Sequence, residues 1–314
     1  MKSIQSNIKK AKKYLDKNYS VAVPTETVYG LAGNAYSDIA VKKIFKLKKR
    51  PANNPLIVHY FSINRLIEDC YINDNFFKLY NKFSPGPITF VLKLKKNSKI
   101  SKFVTNNQKS LAVRFPKHPL LKKLLKNLNY PLAAPSANIS NRLSSVQASD
   151  VIDEFGSKIK YVLNGGKSKI GLESTIVNLI NKPSILRLGG LDYLKIEKVL
   201  KKKISINTRP KKKIAPGQLP MHYSPGIPLR MNVKKPKKDE AFVLIKKRKA
   251  NSKNFYYLSK NNDLKLSAKN LYSLLRKIKK DGHIMIAVER ISDKGIGKTI
   301  NDRLKRASKY NLSN

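Results

Sequence analysis

The stretch PTETVYGLAGNAYSDIAVKKIFKLKKRPANNPLIVH, residues 24–59, decides how the first part of this chain folds. The apolar run Val21–Val23 predicts a strand that ends at Pro24, because proline fixes φ and has no backbone N–H to donate. Thr25, Glu26 and Thr27 would then present polar groups on a turn. In this interpretation Gly30 and Gly33 allow the backbone to turn sharply.

The second half of the same stretch predicts a basic helix. It begins at about Asp38 and ends before Pro51, since the residue that precedes a proline disfavours helical geometry. Its C-terminal end therefore carries Lys48, Lys49 and Arg50. The stretch fits a binding site, and it fits equally well an ordinary strand, turn and helix with solvated lysines.

Composition narrows the class of protein. The chain has 314 residues, 41% of them hydrophobic, which is enough for two domains with real cores. Lys and Arg number 66 against 19 Asp and Glu, a formal charge of +47 that makes a polyanion such as RNA the first candidate partner. Lysine is abundant everywhere, however, so a compositional bias explains the charge as well.

Cysteine usage and hydropathy bear on the compartment. Cys70 is the only cysteine, which excludes an internal disulfide framework and a thiolate metal cluster. No apolar run is long enough to cross a bilayer, and the N-terminal segment predicts an amphipathic helix without the features of a signal peptide. We therefore expect a cytoplasmic protein that does not associate with membranes.

The chain divides into three parts by pattern. Residues 1–203 alternate short apolar runs with amphipathic ones and predict an α/β domain around a mixed sheet. Residues 204–230 lose periodicity and collect five prolines, which indicates a stiffened linker. Residues 231–314 predict a smaller α/β domain. Its GIGKT sequence, residues 295–299, lacks the first glycine and leading strand of a phosphate-binding loop and is interpreted as a helix N-terminus.

Polar residues beside the predicted strands indicate where the chemistry lies. Arg114, between Val113 and Phe115, is too costly to bury unpaired, so we expect it to meet a ligand's carboxylate or phosphate, or an internal partner such as Glu26 or Glu173. The four histidines show no metal-ligand spacing, and there is no serine elbow. Cations, hydroxyls and amides around a cleft fit nucleotidyl or phosphoryl transfer, in which charge is neutralised in the transition state.

Taken together, the motifs resemble the YrdC-like threonylcarbamoyl-adenylate synthases in their long, two-domain form. The segments that carry the resemblance are PTETVYGL, the Lys48-x-Arg50 pair with RPANNPLIVH, SPGPITFVL, AVRFP, PSANIS, and GLESTIV with LRLGG. They cover about residues 1–200 in the family's order, and the later PGQLPMHYSP and KTINDRLKRA resemble the linker and C-terminal domain. The resemblance implies a YrdC-like twisted mixed sheet with a basic concave cleft, plus a smaller Rossmann-like C-terminal domain.

The resemblance also implies an activity. Such an enzyme joins L-threonine, bicarbonate and ATP, the last with Mg²⁺, into threonylcarbamoyl-adenylate and releases pyrophosphate. The product serves N6-threonylcarbamoyladenosine formation on tRNA by a downstream transferase complex, and direct tRNA binding stays open. No tightly bound, protein-ligated metal is expected.

Residue roles follow from the same resemblance. Lys48 and Arg50 are expected to be catalytic at the triphosphate, and Thr25 rivals Thr27 as a threonine contact. Ala134 stands where the family often has a hydroxyl residue. The segment from Pro216 to Pro225 resembles a cover over the active site. The expected ATP-binding residues are Arg50, Asn54, Ser136, Asn138, Ser144, Arg187, His222 and Tyr223, and the expected threonine-binding residues are Thr27, His59, Arg114 and Ser174.

Two other classes of protein are alternatives to the synthase. A non-catalytic module that binds double-stranded RNA or tRNA would need the cations but not Thr27, His59 and Ser174 in their places. A carbamoyl-transferring maturation factor with a related domain would bring zinc-finger and acylphosphatase-like regions, which this cysteine-poor chain lacks. The enzyme is the favoured hypothesis.

Overall fold

The computed structural model describes residues 2–208, 214–216, 222–249 and 252–309. These residues form two sheets with helices packed on them. The helices are α1 (Lys2–Asp16), α2 (Asp38–Lys48), α3 (Ile63–Asp69), α4 (Asp74–Phe83), α5 (Lys102–Thr105), α6 (Pro119–Lys126), α7 (Ala148–Phe155), α8 (Tyr193–Leu200), α9 (Leu264–Lys280) and α10 (Ile296–Ala307). The strands are β1 (Val21–Val23), β2 (Gly30–Asn34), β3 (Ile57–His59), β4 (Ile88–Lys93), β5 (Ser110–Arg114), β6 (Leu132–Ala133), β7 (Tyr161–Val162), β8 (Thr175–Asn178), β9 (Ser184–Arg187), β10 (Ser205–Ile206), β11 (Leu229–Arg230), β12 (Ala241–Leu244), β13 (Phe255–Tyr257) and β14 (Ile286–Val288).

The first ten strands form one mixed sheet, in the order β10-β9-β8-β4-β5-β3-β6-β2-β1-β7. The sheet contains both parallel pairs, such as β3 with β5, and antiparallel pairs, such as β4 with β5. The short apolar runs that predicted strands are buried on both faces, as expected for a sheet covered by helices. The predicted α/β class and mixed sheet are therefore confirmed.

The sequence suggested that Gly30 and Gly33 allow a sharp turn of the backbone, but in the structure they do not lie in a turn. Both lie in β2, which pairs antiparallel with β1 and β6. A Cβ on Gly30 would sit 3.2 Å from the Cβ of Ala134, and one on Gly33 would sit 3.1 Å from Ile44 of α2. The glycines are needed here for close packing of a strand against its neighbours, not for an unusual φ.

The predicted linker, residues 204–230, has both of its ends in sheets. Ser205–Ile206 adds β10 to the edge of the large sheet beside β9, and Leu229–Arg230 adds β11 to the edge of the small sheet. The boundaries predicted at 203 and 231 therefore lie close to the observed change of sheet, but each leaves a two-residue strand outside its domain. Two-residue edge strands carry too little periodicity to be seen in sequence.

The second domain is a small parallel sheet of order β11-β14-β12-β13 with α9 and α10 packed on it. Helix α10 begins at Ile296, with Gly295 at its N-cap, so the GIGKT sequence is a helix N-terminus as predicted. One hydrophobic cluster contains Val28, Leu143 and Leu172 of the first domain together with α9 and α10 of the second. The two domains thus share a core. Each helix of the described residues is too short or too polar to cross a membrane.

Candidate active site

A cavity lies between the first domain and the linker. Its wall includes residues from the strand ends of the large sheet and from the segment after β6. The residues that line it are Thr25, Val28, Tyr29, Gly30, Arg50, Ile57, His59, Arg114, Ala134, Pro135, Ser136, Glu173, Ser174, Arg187, Pro216, His222 and Tyr223. Nine of the fourteen residues discussed as site candidates, Thr25 included, therefore share one space although the sequence scatters them over almost 200 positions.

Arg50 and Arg187 make this cavity strongly electropositive. Arg50 donates to the carbonyl oxygens of Asn54 and Pro55, each at 3.0 Å, and Arg187 donates to the carbonyl oxygen of Ser174. Neither guanidinium has a carboxylate within ion-pair distance among the described residues. Burial, and then the charge of Arg187, lower the pKa of Arg50 to about 9, so it remains protonated at neutral pH. Two cations that line one cavity without an ion-pair partner fit an anionic ligand.

Lys48 does not line the cavity. Its ammonium donates to the carbonyl oxygens of Ser136 and Asn138, and it is 1% exposed. Burial, and then the nearby Arg50, hold its pKa well below the ordinary value. In this conformation Lys48 fixes the loop that carries Ser136. The resemblance to the family had implied instead that its ammonium contacts the triphosphate of ATP.

The strand ends of β3 and β5 bring His59 and Arg114 side by side. Arg114 Nη2 donates to Glu26 Oε1 at 2.7 Å, which is the internal pair that the sequence left open as an alternative to a ligand. Burial would raise the pKa of Glu26, but the charge of Arg114 lowers it. His59 has an unpartnered, buried Nδ1, and burial followed by the charge of Arg114 lowers its pKa to about 3. His59 is therefore a neutral imidazole at the cavity wall.

The hydroxyl groups divide into those on the wall and those behind it. Thr25 lies on the wall, and Thr27, which the sequence favoured, lies behind it with its Oγ1 at 2.8 Å from that of Thr25. The Ser174 hydroxyl also belongs to a wall residue, and it lies 2.7 Å from Thr89 Oγ1 and 3.1 Å from Arg187 Nη2. Of the two threonines, Thr25 is thus the one that a ligand in this cavity would meet directly.

Three predicted nucleotide contacts do not line the cavity. The side-chain amide of Asn138 donates to the carbonyl oxygens of Ile139 and Arg142, and the Ser144 hydroxyl donates to Glu173 Oε1 at 2.6 Å. Asn54 is buried, and its carbonyl oxygen accepts from Arg50. Small polar residues in a turn can face their own backbone as readily as a ligand, which the sequence cannot distinguish.

The linker closes one side of the cavity. His222 and Tyr223 line it with Pro216, and their two rings lie 4.0 Å apart. Burial lowers the pKa of His222 to about 3 and raises that of Tyr223. Both side chains are therefore neutral beside the arginines. Residues 217–221 of the predicted cover lie outside the described residues.

The sequence missed a buried ion pair that joins the domains at this site. Arg303 of α10 donates from Nε to Glu173 Oε2 at 2.9 Å and from Nη2 to the carbonyl oxygen of Leu188. Tyr272 of α9 donates to the same carboxylate at 3.1 Å. Arg303 also lies over the ring of Tyr223, 4.6 Å from its centroid. The C-terminal domain thus fixes Glu173, the neighbour of Ser174, and the linker tyrosine.

The Glu173 pair predicts a defined pH dependence of stability. Burial would raise the pKa of Glu173, but Arg303 and then Arg187 lower it from an ordinary 4.5 to about 2. The Glu173–Arg303 pair therefore makes its full contribution to the free energy of unfolding above pH 4.5. This contribution is lost as the pH falls through 2. We expect the difference in unfolding free energy between the wild type and Glu173→Gln to shrink over this range. Urea unfolding across this pH range measures it, with the exposed Glu68→Gln as control. A constant difference would contradict the assignment.

The fold and the cavity define a two-domain α/β protein with an arginine-lined cleft that its linker covers on one side. A family model described as "Telomere recombination" matches residues 13–189, and one described as "Threonylcarbamoyl-AMP synthase, C-terminal domain" matches residues 192–309. The chain belongs to this family, the threonylcarbamoyl-AMP synthases, which confirms the resemblance found in its motifs.

Individual relatives cover nearly the whole chain. The threonylcarbamoyl-AMP synthase of Pyrococcus abyssi is 36% identical over 93% of this chain and 91% of its own length. That of Bacillus subtilis is 34% identical over 96% of this chain and 92% of its own length. The crystal structure of P. abyssi Sua5 complexed with L-threonine superposes with a TM-score of 0.88 at 33% identity, covering 96% of this chain and 94% of that one. These relatives favour a catalytic role over a non-catalytic RNA-binding module.

Proposed function

We propose that this chain condenses L-threonine, bicarbonate and ATP into threonylcarbamoyl-adenylate and pyrophosphate in the cavity between its first domain and its linker. The observation that carries the proposal is the pair of cavity-lining arginines, the partly buried Arg50 and the buried Arg187, that lack a carboxylate partner among the described residues. Threonine's carbamate and the α-phosphate of ATP are both anions, so their approach needs fixed cations nearby. The relatives named as threonylcarbamoyl-AMP synthases support this reaction.

We assign the phosphates of ATP to the side of the cavity that holds Arg50 and Arg187. Lys48 would act there indirectly. Its ammonium donates to the backbone carbonyl oxygens of Ser136 and Asn138 and so positions the loop that carries them. Mg²⁺ would enter on the triphosphate as part of the substrate, because the described residues contain no cluster of three acidic, histidine or cysteine side chains that could hold a metal. Glu26 and Glu173 are both engaged by arginines.

L-threonine is assigned to the side lined by Thr25, His59, Arg114 and Ser174. Its amine must lose a proton before it attacks carbon dioxide derived from bicarbonate, and the neutral His59 would contact the amine without taking that proton, because its pKa of about 3 makes it a weak base. Arg114, already held on one side by Glu26, would present its guanidinium to the carboxylate of threonine. Thr27 would support Thr25 rather than contact the substrate itself.

The carbamate oxygen would then attack the α-phosphorus, the bond to the β-phosphate oxygen would break, and pyrophosphate would leave with the charge neutralised by the arginines. The carbamate and the adenylate both hydrolyse readily, so water must be excluded. His222 and Tyr223 of the linker cover the cavity and would serve this purpose. The finished adenylate would pass to a transferase complex that modifies tRNA.

The proposed reaction predicts a strict substrate requirement. Purified protein with ATP and Mg²⁺ is expected to release pyrophosphate only when L-threonine and bicarbonate are both added. An enzyme-coupled pyrophosphate assay measures this, with each substrate omitted in turn. Release of pyrophosphate without threonine would overturn the substrate assignment, and D-threonine serves as a matched control for the recognition of the amino acid.

A further inference from the structure

Thr89 is the one hydroxyl residue of strand β4, and the proposed reaction gives it no role. It is 0% exposed among apolar neighbours in the strand, and it does not line the cavity. Its Oγ1 lies 2.7 Å from the Oγ of Ser174, which is its only hydrogen-bond partner among the described residues. A buried hydroxyl costs free energy unless its proton finds an acceptor. Thr89 therefore depends on Ser174 for its hydrogen bond.

The two hydroxyl groups carry two protons, and only one of these protons can lie between the two oxygens. If Ser174 donated to Thr89, the proton of Thr89 would be left behind the cavity wall without an acceptor among the described residues. If Thr89 donates, the proton left over belongs to Ser174, which lines the cavity. The second arrangement is favoured, because a buried donor without an acceptor loses its hydration and gains nothing in return.

Arg187 occupies the remaining acceptor site of the Ser174 hydroxyl. Its Nη2 donates to Ser174 Oγ at 3.1 Å, and the same guanidinium donates twice to the backbone carbonyl oxygen of Ser174. A hydroxyl oxygen has two lone pairs, and Thr89 and Arg187 fill both. The Ser174 hydroxyl can therefore only donate, and the part of the chain that the structure describes offers its proton no acceptor.

The backbone around Ser174 is closely packed. A Cβ on Gly189 would overlap the backbone carbonyl carbon of Ser174 and the backbone nitrogen of Thr175. The same nitrogen of Thr175 donates to the carbonyl oxygen of Pro87, just before β4, at 3.0 Å. The distance between the hydroxyl groups of Thr89 and Ser174 is thus set by neighbours on both sides.

Strand β4 lies between β5 and β8 in the large sheet. Because β4 is antiparallel to β5 and parallel to β8, Arg114 at the end of β5 and Ser174 just before β8 flank the beginning of β4 from its two sides. A carboxylate that Arg114 contacts is therefore within the region that the Ser174 proton can serve. The hydroxyl of Thr25, on the same wall, already donates to the carbonyl oxygen of Val28 at 2.6 Å.

We infer that Thr89 is a positioning residue, which makes the Ser174 hydroxyl an obligate hydrogen-bond donor to the carboxylate of L-threonine. The inference rests on the proposed function, which assigns threonine to this side of the cavity. Thr89 does not touch the substrate. It occupies a lone pair of Ser174 and so prevents that hydroxyl from turning its proton into the wall.

L-threonine binding by the full chain tests the inference. Thr89→Val keeps the shape of the side chain and removes its hydroxyl, and Thr89→Ser keeps the hydroxyl. Ser174→Ala, alone and combined with Thr89→Val, shows whether Thr89 acts through Ser174. The matched control is Thr105→Val, which removes a buried hydroxyl of α5 that donates to the carbonyl oxygen of Lys102. Calorimetric titration gives the Kd for threonine, and the pyrophosphate assay gives separate KM values for threonine and ATP.

We expect Thr89→Val to raise the Kd and KM for L-threonine about three- to ten-fold, the effect of one hydrogen bond to a charged group, and to leave the KM for ATP unchanged. Thr89→Ser should restore the affinity, and Thr105→Val should match the wild type. In the Ser174→Ala background, Thr89→Val should cause no further loss. L-2-aminobutyrate, which keeps the carboxylate and lacks the hydroxyl of threonine, should show the same fold-loss when it competes with threonine.

An unchanged Kd in Thr89→Val, or a loss that Thr89→Ser does not restore, would overturn the inference. Additive losses in the double variant, or an equal rise of both KM values, would leave Thr89 with a structural role alone. A loss absent with L-2-aminobutyrate would assign the proton to the substrate's hydroxyl instead of its carboxylate. A wild type that binds threonine without releasing pyrophosphate would contradict the proposed synthesis only, whereas a wild type that does not bind threonine would contradict both.

Discussion

Arg50→Ala is expected to lower kcat/KM for ATP by about 100-fold or more, while the protein still folds. The guanidinium is partly buried at the cavity wall, and its contacts among the described residues are two backbone carbonyls and no carboxylate. Removing the guanidinium therefore leaves no buried carboxylate unpaired, so the free energy of unfolding should change little. What is lost is a fixed cation at the point where the carbamate and the α-phosphate, both anionic, must meet.

The control for this prediction is Lys237→Ala, which removes a cation from an exposed position on the second domain. A steady-state pyrophosphate assay at varied ATP gives kcat/KM for both variants, and calorimetric titration with L-threonine shows whether the amino-acid side is intact. We expect Lys237→Ala to match the wild type and Arg50→Ala to keep its affinity for threonine. If the two substitutions changed ATP use equally, the phosphate side of the cavity would be misassigned.

The sequence was most informative where burial dictates residue type. Apolar runs such as Ile88–Lys93 have one stable position, the centre of a covered sheet, so the strands and the mixed α/β class followed from them. β2 was missed because its glycines belong to turns in most contexts. Only the packing of Ala134 and Ile44 against them explains why a strand needs glycine here.

For the site, the sequence predicted which residues gather but not how each side chain points. An arginine inside an apolar strand must find an anion, and that rule correctly kept Glu26 open as the partner of Arg114. Lys48 and Ser144 were predicted to face ligands, yet they contact a carbonyl pair and Glu173. Rotamer choices of this kind depend on neighbours that are distant in the chain.

The role of the second domain could not be predicted from the sequence for the same reason. Arg303 is 130 positions from Glu173, and within KTINDRLKRA it has the pattern of a solvated residue on a basic helix. In the structure it is 1% exposed and contacts Glu173, the carbonyl oxygen of Leu188 and the ring of Tyr223. The helix that the sequence assigned to a separate small domain therefore holds two residues of the cavity wall, Glu173 and Tyr223, from behind.

Arg303→Ala is accordingly expected to cost about 3–5 kcal/mol of unfolding free energy, because it leaves the buried carboxylate of Glu173 without its cation. We also expect kcat to fall, since Glu173 precedes Ser174 and Tyr223 loses the guanidinium beneath its ring. Urea unfolding and the pyrophosphate assay measure the two effects. Arg248→Ala removes an arginine from the partly exposed pair with Glu289 and should cost no more than about 1 kcal/mol.

Arg303→Lys separates charge from geometry if the alanine variant folds poorly. A lysine keeps the cation for Glu173 but cannot reach the carboxylate and the Leu188 carbonyl with one planar group. Its stability should lie between those of the wild type and Arg303→Ala, and its kcat should stay reduced because the stacking on Tyr223 is weakened. An alanine variant as stable and active as the wild type would mean that Glu173 is neutral or solvated, and that the second domain does not hold the active-site wall.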